Sequence, residues 1–121
     1  MRDYTKIQAW QLADDMAVDI YRATRAFPKE EIYGLISQLR RAAYSVPANV
    51  AEGSARESKK EYLHFLHIAR GSLTEAQYFI HLAHRLEYLR QDAYDILMVR
   101  IKTVFERLHG LIMAVTKEIP N

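Results

Sequence analysis

Apolar residues recur at three- and four-residue steps along nearly the whole chain and nowhere settle into sustained alternation. A strand repeats every two residues and a helix about every 3.6, so this pattern restricts the chain to packed helices. Gly 4 and Pro 3 in 121 residues are too few for a turn-rich sheet protein or a disordered tail. The length fits one domain over residues 1–121, with a single core and no linker.

Four helical stretches follow from the spacing. In the first, from about Lys6 to Ala26, Trp10, Ala13, Met16, Ala17, Ile20, Tyr21 and Thr24 share one side. Phe27-Pro28-Lys29-Glu30-Glu31 ends it and opens the second, because Pro suits a first helical turn and acids there complement the helix dipole. The second carries Ile32, Leu35, Ile36, Leu39, Ala42, Ala43, Val46 and Val50 up to Gly53-Ser54, and Pro47 inside it predicts a kink near Ala43 to Pro47. The third runs from near Ser58 to about Leu89. The fourth runs from an N-cap at Asp92 to about Lys117, on a heptad-like seam of Leu97, Ile101, Val104, Leu108, Leu111 and Val115. Four helices with short connections predict an all-α, antiparallel up-down-up-down four-helix bundle.

The third stretch has two apolar seams. One is Phe65, Ile68, Ser72, Glu75, Phe79, Leu82, Leu86 and Leu89; the other is Tyr62, Leu66, Ala69, Leu73, Ala76, Ile80 and Ala83. At about 100° per residue they cover roughly 220°, more than the ~100° stripe of a surface helix. Either this helix packs between two neighbours of its own bundle, or one edge is also an oligomer interface. Glu75 lies in the first seam, and a carboxylate there needs a partner. In a hairpin turning near Glu57 to Lys59 it comes level with Arg40 to Ala42, so Arg41 or Arg40 is expected to pair with it and fix helix register.

The opposite arc holds Lys60, His67, Arg70, Thr74, Tyr78, His81, His84 and Arg85, with Tyr88 at its edge and no acid among them. Cations interleaved with imidazoles and phenols suit phosphates and unstacked bases, although the same arc also reads as a plain solvated face. Arg22, Arg25, Arg40 and Arg41 are secondary candidates, with Arg41 alternatively committed to Glu75. The net charge of +2 is too small to argue for nucleic acid by itself.

Catalytic signals are absent from the sequence. Cys is 0, which removes disulfides, thiolate metal sites and cysteine nucleophiles. The pairs His64/His67 and His81/His84 have chelating spacing but no completing carboxylate on the same face. Serine-nucleophile motifs, phosphate-cradling glycine loops and paired carboxylates are missing, so a non-enzymatic protein without cofactor or metal is expected. The first residues are polar, and Asp14, Asp15 and Asp19 stand where a leader would be apolar. With no run of about 18 apolar residues either, a cytoplasmic protein is expected.

Around Pro47, Ser45, Asn49, Glu52 and Arg56 share one side of the second helix, with Glu52 and Arg56 at i, i+4. Asn49 is placed to satisfy the Ala43 carbonyl that Pro47 frees, or the cluster binds an external group. The run QLRRAAYSVPANVAEGSAR, followed by EYLHFLHIARGSLTEAQYF, resembles a small bacterial four-helix-bundle family. That family includes proteins encoded in intervening sequences of large-subunit ribosomal RNA genes and the accessory variability determinant of diversity-generating retroelements. The resemblance extends from Trp10 to about Leu89. Arg40, Arg41, Asn49, Glu52, Gly53, Arg56, Ser72 and Glu75 match its pattern, while Gln77 stands where many members carry an acid. It implies a barrel-like homopentamer and, for the retroelement members, RNA binding beside a reverse transcriptase. The expectation is an oligomeric RNA-binding or ribonucleoprotein-accessory protein using its basic helix face. A scaffold docking a partner on its apolar helix face is the alternative.

Overall fold

The computed structural model describes residues 2–120 as four α-helices, with no strand among them. They are α1 (Gln8–Thr24), α2 (Leu35–Ser54), α3 (Lys59–Arg85) and α4 (Gln91–Lys117). Single 3-10 turns at Tyr4–Lys6 and Lys29–Glu31 precede α1 and α2. Helices α1 and α3 each pack on α2 and α4, and neither diagonal pair touches, so the four sit at the corners of a square.

Side-chain contacts fix which ends meet. Arg2 Nη1 donates to the carbonyls of Ser54 and Arg56 at 3.2 and 2.8 Å, holding the start of the chain against the end of α2. Arg40 reaches the end of α1, and Lys59 at the start of α3 pairs with Glu118 just past α4 at 3.2 Å. Asp19 of α1 lies 3.1 Å from Arg100 of α4, off the line of a hydrogen bond, so that contact is electrostatic.

One core fills the square. Met16 and Ile20 of α1, Leu39, Val46 and Val50 of α2, Leu66, Leu73 and Ile80 of α3, and Ile101 and Leu108 of α4 are all fully buried. Each large apolar side chain so buried contributes roughly 1.5–3 kcal/mol relative to exposure. Alanines contribute to the core as well, with Ala13, Ala43, Ala69, Ala76 and Ala83 inaccessible to solvent. Short side chains let the helix axes draw together.

Several boundaries and seams differ from the sequence reading. Pro28 opens a 3-10 turn rather than α2, which starts at Leu35 and leaves Ile32 and Tyr33 (94% accessible) in solvent. At Pro47, by contrast, the helix continues as expected of a proline that does not break it, and the ring is buried within α2. The N-cap of α4 is Arg90, and Asp92 accepts from the adjacent Ala93 N–H inside the first turn. The α4 core seam ends on Ile112 and Val115, because over five turns the true period of about 3.6 drifts off a strict heptad and carries Leu111 to the flank. Helix α3 stops four residues early, where Glu87 takes a left-handed φ of 64° and Tyr88 N–H bonds the Ala83 carbonyl at 2.9 Å, closing a Schellman turn.

The two α3 seams separate cleanly. The one containing Tyr62, Leu66, Ala69, Leu73, Ala76, Ile80 and Ala83 is buried throughout. The other forms the rim, with Phe65, Phe79 and Leu82 half-buried and Ile68 and Leu86 40% and 46% accessible.

Candidate nucleic-acid interface

Ser58 Oγ caps α3 by accepting from Glu61 N–H at 3.2 Å, and the helix then runs 27 residues without a Pro. At about 1.5 Å per residue, Lys60 and Arg85 stand roughly 38 Å apart on its outward side. Lys60, His67, Thr74, Tyr78, His81 and Arg85 are exposed, and Arg70 is half-buried among them. The ion pairs among the described residues are Arg56–Glu52, Lys59–Glu118, Arg90–Asp92 and Arg100–Asp19. None involves Lys60, Arg70 or Arg85, so these three cations face solvent without a carboxylate within 4 Å.

Local geometry gives the stripe direction. Arg70 Nη2 lies 3.0 Å from His67 Nδ1. A guanidinium can only donate, so Nδ1 accepts and the proton of a neutral His67 ring sits on Nε2, away from Arg70. The remaining Arg70 N–H groups and His67 Nε2 then form adjacent donors for a phosphate. Farther along, the rings of Tyr78 and His81 lie 6.3 Å apart at 37°, two flat surfaces on which a base can stack.

Not every expected residue belongs to this surface. His84 stacks on Tyr94 with ring centroids 4.0 Å apart, and its Nε2 is 3.0 Å from Gln91 Oε1, so it fastens α3 to the start of α4. Tyr88 donates its hydroxyl to Glu31 Oε2 at 2.9 Å and packs on Phe27, clamping the α3–α4 connection over the turn before α2. That hydrogen bond to a carboxylate, followed by desolvation, raises the phenol above its ordinary range. Arg22 and Arg25 are exposed at the end of α1, on a helix that does not pack directly beside α3.

The expected polar network around Glu75 is not formed. Arg40 turns the other way, donating through Nε to Thr24 Oγ1 at 2.8 Å and through Nη2 to the Tyr21 carbonyl at 3.3 Å. Arg41 points to solvent, and Glu75 is exposed with no ion pair among the described residues. The cause is the seam assignment: Glu75 belongs to the rim, where water solvates it. Ser72 is half-buried beside it.

The repair expected at Pro47 does not form. Asn49 Nδ2 donates to the Ser45 carbonyl at 2.7 Å, not to that of Ala43, and Ser45 Oγ donates to the Arg41 carbonyl at 2.6 Å. The Glu52–Arg56 pair forms as the spacing predicts, at 2.9 Å, and the Arg56 guanidinium also lies 4.8 Å over the Phe65 ring. Two ties escaped sequence reading. Arg2 sits before any periodic pattern, yet it lies 4.5 Å over the Tyr62 ring; Glu31–Tyr88 joins residues far apart in sequence.

Among the described residues, no three His, Asp or Glu side chains converge as metal ligands, and no helix is long and apolar enough to cross a membrane. A family model described as 23S rRNA-intervening sequence protein matches residues 5–110. No curated protein matches. Among solved structures, the chain is similar to a protein of unknown function from the S23 ribosomal protein family of Bacteroides thetaiotaomicron. The two share 21% identity and a TM-score of 0.77, over 86% of this chain and 97% of that one.

Proposed function

The chain belongs to the 23S rRNA-intervening sequence protein family, and from that membership we propose that it is a non-catalytic RNA-binding or ribonucleoprotein-accessory protein. The observation that carries this reading is the outward face of α3, where Lys60, Arg70 and Arg85 lack carboxylate partners and His67, Tyr78 and His81 lie between them. Unpaired cations supply the phosphate term of affinity, and the rings supply stacking that tolerates any base. The family's tie to ribosomal RNA genes makes a structured RNA the ligand of choice.

The helices alternate in direction, an antiparallel up-down-up-down order supported by contacts that set the start of the chain against the end of α2, the end of α1 against the early turns of α2, and the start of α3 against the end of α4. The α3 rim, with Ile68 and Leu86 open to solvent, supports self-association, and the family resemblance implies five copies. Repeating the stripe around such an assembly raises avidity with no new chemistry. The action is cytoplasmic, and a reverse transcriptase is the protein partner that the retroelement branch suggests. The same rim favours the second reading, a scaffold that docks a partner on apolar surface.

Charge reversal separates the two. Arg70→Glu/Arg85→Glu lowers affinity for labelled structured RNA at least tenfold while leaving folding intact, since both side chains are outside the core. Unchanged affinity in that variant overturns the RNA reading and favours the scaffold.

A further inference from the structure

We propose that the outward face of α4 is a self-recognition surface on which two copies of this chain pair antiparallel. This contact is independent of the RNA reading. Beside its buried core seam, α4 carries a second heptad seam: Ile96, Val99, Thr103, Glu106, Gly110 and Met113 follow in steps of three and four. Ile96, Val99 and Met113 are 56%, 65% and 44% accessible, so the seam faces away from its own bundle. The groove alongside, toward α3, adds the half-buried Met98 and Phe105. Glycine weakens an exposed helix interior, and a Cβ at Gly110 would meet nothing within 4 Å, so no contact inside this bundle explains it.

The order of residues along the seam selects the occupant and its direction. A two-fold axis level between Val104 and Phe105 sets Val99 against the partner's Gly110 and Ile96 against the partner's Met113. It also sets Thr103 against the partner's Glu106. A branched side chain then enters the gap over a glycine, and a hydroxyl meets a carboxylate. At the ends, Asp92 and Asp95 approach the partner's Lys117, and on one flank Lys102 approaches the partner's Glu106. On the other flank Arg107 comes near the partner's Arg100, whose charge is already met by Asp19. In-register parallel pairing instead stacks Glu106 on Glu106 and Lys117 on Lys117 and leaves a void between glycines. Such a two-fold contact is isologous, whereas closing a ring of five through the α3 rim is heterologous, so the two use separate surfaces and the α4 contact joins two such rings into ten copies.

The chain has no cysteine, which makes cross-linking specific to introduced thiols. In the paired arrangement, position 99 of one copy meets position 110 of the other, while like positions lie about 16 Å apart, too far for a disulfide. Mild oxidation with copper phenanthroline is expected to link copies of the Val99→Cys/Gly110→Cys chain, reversibly by thiol, and to leave each single variant unlinked. Light scattering is expected to show Gly110→Gln at half the wild-type mass with no loss of thermal stability. Single variants that link as readily as the double variant, a double variant that stays unlinked, or an unchanged mass in Gly110→Gln would overturn the proposal. So would a wild-type α4 face taken only by a different protein.

Discussion

Arg40 donates from Nε to Thr24 Oγ1 at 2.8 Å, across the α1–α2 contact, where the Thr24 side chain is almost completely buried. The same guanidinium reaches the Tyr21 carbonyl and lies 4.6 Å over the Tyr21 ring. One side chain thus supplies a donor to the Tyr21 carbonyl in the last turn of α1 and sets the register of that helix on α2. Arg40→Met keeps most of the aliphatic packing but removes every donor. A loss of about 1–3 kcal/mol is expected in denaturant unfolding, with Arg40→Lys recovering part of it.

At Gly53, α2 comes close against α3. A Cβ at that position would meet Phe65 Cβ at 2.8 Å and the Tyr62 carbonyl at 3.2 Å, neither of which is the loose end of a flexible side chain. Gly53→Ala therefore forces the helices apart despite the better helix propensity of alanine. A loss of about 1–3 kcal/mol is expected, where an open helical glycine would show a gain.

Glu75 gives the opposite expectation. Exposed and unpaired, it contributes little to folding, so Glu75→Ala should shift stability by no more than about 0.5 kcal/mol. A buried ion pair with Arg40 or Arg41 would instead cost about 3–5 kcal/mol when one partner is removed. Chemical unfolding of this one variant distinguishes the two arrangements.

That contrast shows where sequence was sufficient and where it was not. Periodicity located all four helices and both apolar seams of α3, because an apolar stripe is a property of one helix at a time. It also found the Glu52–Arg56 pair, whose partners are one turn apart. It could not say which α3 seam faces the core. That depends on where α2 and α4 sit, and the choice decides whether Glu75 is buried or solvated. The roles of His84 and Tyr88 were hidden likewise: on the wheel both belong to the basic arc, and only the chain reversal at Glu87 brings them against Tyr94 and Glu31.

The Tyr88 hydroxyl ties this reversal to pH. Its hydrogen bond to Glu31 raises the phenol in the folded chain, so the folded state favours the protonated form. The associated stability is complete below the ordinary tyrosine range and is lost as pH rises through the raised value. Melting temperature should therefore fall on the alkaline side of neutrality, starting near pH 10. In Tyr88→Phe the neutral-pH melting temperature should be lower and the alkaline fall shallower; an identical alkaline profile would remove Tyr88 from that role.

Salt dependence is the sharpest test of RNA binding by the unpaired cations on the outward face of α3. Nuclease-treated, gel-filtered protein is titrated onto labelled structured RNA over a salt series. Affinity should be micromolar or tighter at low salt and fall steeply and log-linearly, because each phosphate contact releases counterions; Arg70→Glu/Arg85→Glu should flatten that slope by about one to two units. Absence of binding at low salt by folded protein, or a slope that the double variant leaves unchanged, would contradict it.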